Sequence, residues 1–303
     1  MEIGDIVVRK SYKKDITFKI IDIKEGTNGN IYTLKGVNVR IIADSPSSDL
    51  KKVSTNTVTK DEEVFTKKVN DSIKNILSYR KEGYEKEKSN DKRKNVKKKL
   101  KKMYRSDIHA KDNDLYFGRP GKILHVDGDS EYLDTCIKVY KQLGLDVIGK
   151  NVMEKEQPEK IIDLVKEIKP DIVVITGHDA VLRETENYTD INNYRNSKYF
   201  VKTVSILRDY EKSYDELVIF AGACQSCYEA ILDAGANFAS SPGRILIHCL
   251  DPVFLCEKIA YSNIEKVVSI KDATENTITG LKGIGGLQTR GKYREGFPKS
   301  QYI

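Results

Sequence analysis

The chain runs to 303 residues, 32% of them charged and 39% hydrophobic, with seventeen tyrosines and no tryptophan; that length suits about two domains, one of which can bury a full core. Its formal charge of +7 is local, because residues 86–105 hold eleven Lys and Arg against two acids and the remainder sums to −2, so the basicity belongs to one segment and not to the whole protein. No apolar run approaches the roughly 18 residues of a membrane span, and the opening Met1-Glu2-Ile3-Gly4-Asp5 has no basic region ahead of an apolar stretch, so neither a membrane partner nor a signal peptide is expected and the protein is expected to act where it is made.

Residues 6–8, 17–21 and 31–34 are rich in β-branched and aromatic side chains and read as short strands, with a turn at 26–30 and a fourth strand at 38–42. A small β-barrel of SH3 or KOW type over residues 1–57 is the expectation; such barrels bind peptides or RNA, or serve only as structural modules. Over residues 58–115 the pattern turns helical and charged. Val64, Phe65, Val69, Ile73, Ile76 and Leu77 form an apolar stripe at helical spacing, and beyond Tyr84 lysine dominates, as in a basic linker.

Residues 116–303 have a different rhythm. Strands are expected at 122–126, 145–148, 171–176, 217–221 and 245–248, alternating with helices near 130–143, 158–168, 199–208 and 228–234 and after Pro252. That alternation means βαβ units, hence an α/β fold with a mostly parallel sheet covered on both faces. The apolar runs at 172–175 and 217–220 read as central strands.

In such sheets the reactive loops lie beyond the carboxyl ends of the strands. One central strand runs into Thr176-Gly177-His178-Asp179, and the other into Ala221-Gly222-Ala223-Cys224-Gln225-Ser226. An imidazole and a thiol are thus expected at one sheet edge. A thiol of ordinary pKa is little ionised at neutral pH, and the thiolate is the nucleophile. A nearby imidazole favours the thiolate and later protonates the leaving amine. Gly177 and Gly222 allow close backbone approach and leave amides to face an oxyanion. A helix beginning just after Cys224 adds positive potential at the sulfur. Cys224 and Cys227 have no second pair or spaced histidines to make a zinc site, so reduced thiols, no metal and no cofactor are expected.

The His-to-Cys arrangement, with Ala223-Cys224-Gln225 placed 46 positions after His178, resembles the caspase, gingipain and clostripain group of cysteine peptidases, whose caspase signature has its histidine about 50 residues upstream. In that group His is usually followed by Gly, whereas here Gly177 precedes His178 and Asp179 follows it. GDIVVRK near the start, HVDGD, ITGHD, FAGACQS and SSPGRILIH together resemble the YabG-type sporulation-specific peptidases over essentially the whole chain. The resemblance implies a caspase-like fold, Cys224 as nucleophile and His178 as its partner. It further implies cleavage after basic residues, chiefly Arg, in spore coat and cortex-related proteins and in the enzyme itself. The expected place of action is the cytoplasm of the sporulating cell, in the mother cell or at the spore coat.

An Arg-directed enzyme needs a carboxylate in its specificity pocket, because a desolvated guanidinium without a partner is costly. In caspase-like enzymes the loop after the first strand helps form that pocket. Here it carries Asp127 and Asp129, either of which could instead cap the helix starting near Ser130; Asp179, Glu184, Asp190 and Asp251 are alternatives, and Asp179 could instead orient His178. Cys227 is the rival nucleophile. Cys136, Cys249 and Cys256 read as core thiols, His125 and His248 as structural strand-end residues, and His109 lies in the linker. The lysine-rich segment reads as a linker, a nucleic-acid contact or a self-cleavage site between residues 80 and 110. It lacks the interleaved aromatics of a base-reading surface, so nucleic acid is not the favoured partner. The competing readings are an RNA-binding regulatory α/β protein with no catalysis, and an acyl hydrolase or transferase using the same pair.

Overall fold

The computed structural model describes residues 1–11, 14, 16–25, 29–53, 63–80, 116–182, 186–300 and 302. The basic segment 86–105, the processing expected between residues 80 and 110, His109 and Glu184 lie outside the described residues.

Strands β1 (Ile6–Arg9), β2 (Thr17–Lys24), β3 (Ile31–Gly36), β4 (Ile42–Pro46) and β5 (Leu50–Lys52) form an antiparallel sheet of order β4-β3-β2-β1-β5. Val7, Phe18, Ile20, Tyr32, Leu34 and Leu50 make its core. The strand expected at 38–42 starts only at Ile42. Residues 37–41 instead form the tip of the β3–β4 hairpin, closed by the Gly36 amide on the Ile41 carbonyl at 2.9 Å. The reason is competition for backbone pairing. The Cys249 amide donates to the Asn38 carbonyl at 3.0 Å, and Val39 forms an antiparallel bridge with His248.

The second sheet is built from β7 (Ile123–Asp127), β8 (Val147–Asn151), β9 (Ile172–Thr176), β10 (Val218–Ala221) and β11 (Phe238–Ser240), with β6 (Phe117–Arg119) lying outside it. Its order is β8-β7-β9-β10-β11, all parallel, with the strand Ile284–Gly286 added antiparallel against β11. β7, β9 and β10 are buried throughout, as expected of strands covered on both faces. Their side chains divide by alternation. Ile123, Ile172, Val174, Val218 and Phe220 pack with the helices Ser130–Gln142 and Asp251–Ala260. Leu124, Val126, Val173, Ile175, Ile219 and Ala221 pack with the helices Gln157–Ile168, Ser197–Tyr210 and Tyr228–Asp233. Each Val, Leu, Ile or Phe side chain among them, fully buried, stabilises by about 1.5–3 kcal/mol before entropic costs.

The α/β expectation is therefore met, with one strand misplaced. The strand after β10 is Phe238–Ser240, while residues 245–247 carry no strand and His248 only an isolated bridge. Small residues surround Phe238, so the period that marks a strand is weak there. Residues 63–80 are helical, and Ile73 and Ile76 join the core beside the helix Asp251–Ala260. Arg80 closes that contact through the buried Glu257 (Nε to Oε1, 3.0 Å) and the Leu143 carbonyl (2.6 Å). Among the described residues no helix is long and apolar enough to cross a membrane.

Candidate active site

The register of β9 and β10 pairs Ala221 with Ile175, so the segments after both strands leave the sheet side by side, one carrying His178 and the other Cys224. Gly222 makes the exit from β10 feasible. Its φ is +109°, a Cβ there would lie 2.4 Å from the Ser240 hydroxyl, and its amide donates to the Ile175 carbonyl at 3.0 Å. That amide is therefore committed to the strand exit and is not free for an oxyanion. Gln225, directly after the cysteine, has φ +58°, a left-handed conformation uncommon for a residue with a side chain. Cys224 thus sits at the apex of a sharp turn. The helix expected just after Cys224 begins only at Tyr228, four residues on, with Cys227 as its N-cap.

The Cys224 sulfur accepts from the Ile247 amide at 3.2 Å, and the residue is 1% exposed. Burial pushes its thiol up to about 11, against the pull of the Ile247 amide and of Arg40, both its guanidinium and its backbone amide. As folded, then, the thiol is neutral and shielded. Cys227 is equally buried but points elsewhere, its sulfur toward the Thr189 carbonyl and its amide to the Ser197 hydroxyl.

His178 is fixed by Asp129. Its Nε2 lies 2.8 Å from Asp129 Oδ2, and its backbone amide donates to Glu154 Oε1 at 2.6 Å. A Cβ on Gly177 would lie 2.3 Å from that same Glu154 oxygen. Gly177 therefore serves close approach. With Nε2 engaged, the free nitrogen is Nδ1, which is buried and has no hydrogen-bond partner among the described residues. The amides of Cys224 and Asp179 likewise donate to nothing among the described residues. Asp179 does not orient His178: it accepts from the amides of Ala180 and Asn196 and from the Ser197 hydroxyl.

The loop after β7 supplies both acids named from sequence, in different roles. Asp129 caps the helix Ser130–Gln142, accepting from the amides of Glu131 and Tyr132, while its carboxylate holds His178 and Lys35. Burial opposes its charge, but those two partners keep its carboxyl well below the usual range. Asp127 is fully buried, its Oδ2 2.9 Å from the Thr176 hydroxyl and 2.6 Å from Arg40 Nη1. Burial again opposes ionisation, and Arg40 and His125 overcome it. Neither the Arg40–Asp127 pair nor the Asp129–His178 bond is visible in spacing, since each joins loops far apart in the chain. Asp190 caps the short turn after it, and Asp251 accepts from the amides of His248, Ile278 and Thr279. His125 bonds the Thr176 hydroxyl at 2.8 Å, and His248 Nδ1 accepts from the Leu250 amide at 3.1 Å; Cys136, Cys249 and Cys256 are buried.

A sharp turn carrying a buried thiol after one strand, and after the neighbouring strand an imidazole oriented by a carboxylate with its second nitrogen free, are the groups that acyl transfer uses. No group of three or more His, Cys, Asp or Glu among the described residues is arranged to hold a metal ion. The family model described as YabG peptidase U57 matches residues 2–298. The sporulation-specific protease YabG of Bacillus subtilis (strain 168) is 43% identical over 299 residues, covering 98% of each chain. No solved structure matches. With a match over nearly its whole length and that level of identity, the chain belongs to the YabG peptidase family, U57.

Proposed function

We propose that this peptidase is a sporulation cysteine endopeptidase of caspase-like fold that cleaves after basic residues, chiefly Arg, with Cys224 as nucleophile and His178 as general base and acid. The observation that carries the reading is the pairing of strand ends: His178 and Cys224 leave adjacent parallel strands at the same edge, and Asp129 engages Nε2 so that Nδ1 is left for proton transfer. His178 takes the Cys224 proton as the sulfur attacks the scissile carbonyl. The amides of Cys224 and Asp179 receive the oxyanion, and His178 then protonates the leaving amine, giving a thioester that water hydrolyses. Asp127 is the pocket acid for the substrate arginine, supported by its burial and by the guanidinium it already binds.

Several parts of the reading rest on the family. Spore coat and cortex-related proteins as substrates, self-cleavage in the basic segment, and action in the mother cell or at the spore coat accord with the relative's name as a sporulation-specific protease. The strand order, with its antiparallel edge strand, supports the caspase-like assignment. The 3-10 turn Ser47–Asp49 between β4 and β5 supports an SH3/KOW-like barrel. The reading keeps three parts, 1–57, 58–115 and 116–303, with both divisions in segments outside the described residues.

The test is kinetic, on paired peptides differing only by Arg or Gln before the cut, under reducing conditions. His178→Ala is expected to lower kcat by about 10²–10⁴-fold, and Asp127→Asn to erase the Arg preference. Undiminished cleavage by His178→Ala would overturn the pair as the catalytic unit.

A further inference from the structure

One buried cation has no part in the chemistry above. Arg40 lies in the β3–β4 hairpin tip, and its guanidinium is fully buried against Asp127. The backbone leading to it is paired as well, through the Asn38 carbonyl to the Cys249 amide and through the Val39 bridge to His248. Cys249 lies two residues beyond Ile247, whose amide holds the Cys224 sulfur, and the Arg40 backbone amide itself acts on that sulfur. Consecutive residues thus supply antiparallel main-chain pairing, an amide at the nucleophile and a guanidinium on the pocket carboxylate. An extended peptide with arginine before the scissile bond would supply the main-chain pairing and the guanidinium, and would bring its scissile carbonyl where the Arg40 amide now meets the sulfur.

Stability alone is a poor reason for this pair, because a buried ion pair is commonly no better than apolar packing of the same volume. Neither Arg40 Nε nor Nη1 has a hydrogen-bond acceptor among the described residues, so Nη1 meets Asp127 at 2.6 Å as an ion pair without hydrogen-bond geometry. The hairpin also takes hold of the second acid of the site, with Lys35 Nζ 2.7 Å from Asp129 Oδ1. Tyr132, whose ring lies against His178, donates its hydroxyl to the Val39 carbonyl at 2.8 Å. Both ends of the tip are locked, by the Gly36 amide on the Ile41 carbonyl and by the Lys35–Ile42 register, and the Ile41 amide turns back onto the Val39 carbonyl at 2.9 Å. We propose that the β3–β4 hairpin tip, residues 38–41, is an internal pseudosubstrate, with Arg40 standing where the substrate arginine binds, so that the resting enzyme is closed until the hairpin withdraws. This rests on the reading of Cys224, His178 and Asp127 as the peptidase site.

Full-length wild type, Arg40→Ala and Gly36→Ala are compared on a short arginyl peptide and, separately, by thermal shift with agmatine, a free guanidinium probe. If the open state is a minor population of about 1–10%, releasing the hairpin raises kcat/KM by about 10- to 100-fold. Both variants are expected to show that gain, and agmatine to raise the Tm of Arg40→Ala but not of wild type. Gly36→Ala keeps the test open should Arg40→Ala fold poorly, since its Cβ would lie 2.3 Å from the Val39 carbonyl and displace the tip without emptying the pocket or touching Asp129. Wild type and both variants cleaving equally would overturn the pseudosubstrate while leaving the catalytic pair standing. Agmatine stabilising only Arg40→Ala, with no cleavage by any of the three, would support the occupied pocket and overturn the reading of Cys224 and His178 as an arginyl-peptidase pair. Neither cleavage nor a selective agmatine effect would overturn both.

Discussion

At the scale of single residues, the proposed chemistry depends on how His178 and Cys224 are held. Asp129→Asn keeps a helix cap but removes the anion that orients the imidazole, so kcat is expected to fall by about 10²-fold, with KM little changed, in steady-state assays. Gly222→Ala forces a Cβ to 2.4 Å from the Ser240 hydroxyl at φ +109°. Denaturant titration is expected to show a loss of about 1–3 kcal/mol, with activity lost as the Cys224 turn is displaced. Cys224 and His178 were legible in the sequence because each follows an apolar run through a glycine. Asp129 was legible only as one of two acids, and its role was not: spacing says nothing of which loop faces which. Asp179, adjacent in sequence to His178, turns away to Ser197 and the Asn196 amide instead.

Among the elements, two contacts set how the site is walled. His248 pairs with the hairpin through Val39, and burial pushes its imidazole down to about 4. The free group titrates near 6.5, so the unfolded chain takes up the proton first as pH falls. The contribution of neutral His248 to stability is thus whole above that value and is lost progressively between pH 6.5 and about 4, amounting to about 3 kcal/mol at the acid end. Asp251, raised to about 6 by burial, acts in the opposite sense over part of that range. The readout is therefore the difference between wild type and His248→Gln in Tm against pH, which is expected to change with pH in that window. The helical residues 63–80 supply a second contact. Arg80→Ala leaves the buried Glu257 unpaired, and a loss of roughly 1–3 kcal/mol is expected by chemical denaturation. The main strands and helices were legible from periodicity. Strand Phe238–Ser240 was not, because its position is fixed by the ladder to β10 and by Ile284–Gly286 rather than by its own composition.

For the whole molecule, the N-terminal sheet is part of the site and not an appendage to it. Lys35 and Arg40 reach the two acids of the loop after β7, and the hairpin tip pairs with the chain beside the cysteine. Residues 38–42 read as a strand in isolation because Val39, Ile41 and Ile42 favour one, and only the partner backbone at 248–249 shows why they are drawn out of their own sheet. The central claim is that this arrangement is a cysteine peptidase working through Cys224. Its most direct test is wild type beside Cys224→Ala and Cys227→Ala, each incubated under reducing conditions with an arginine-containing peptide library and the cut sites read by mass spectrometry. Cuts after Arg from wild type and Cys227→Ala, with none from Cys224→Ala, are the expected result; cleavage undiminished in Cys224→Ala would contradict it.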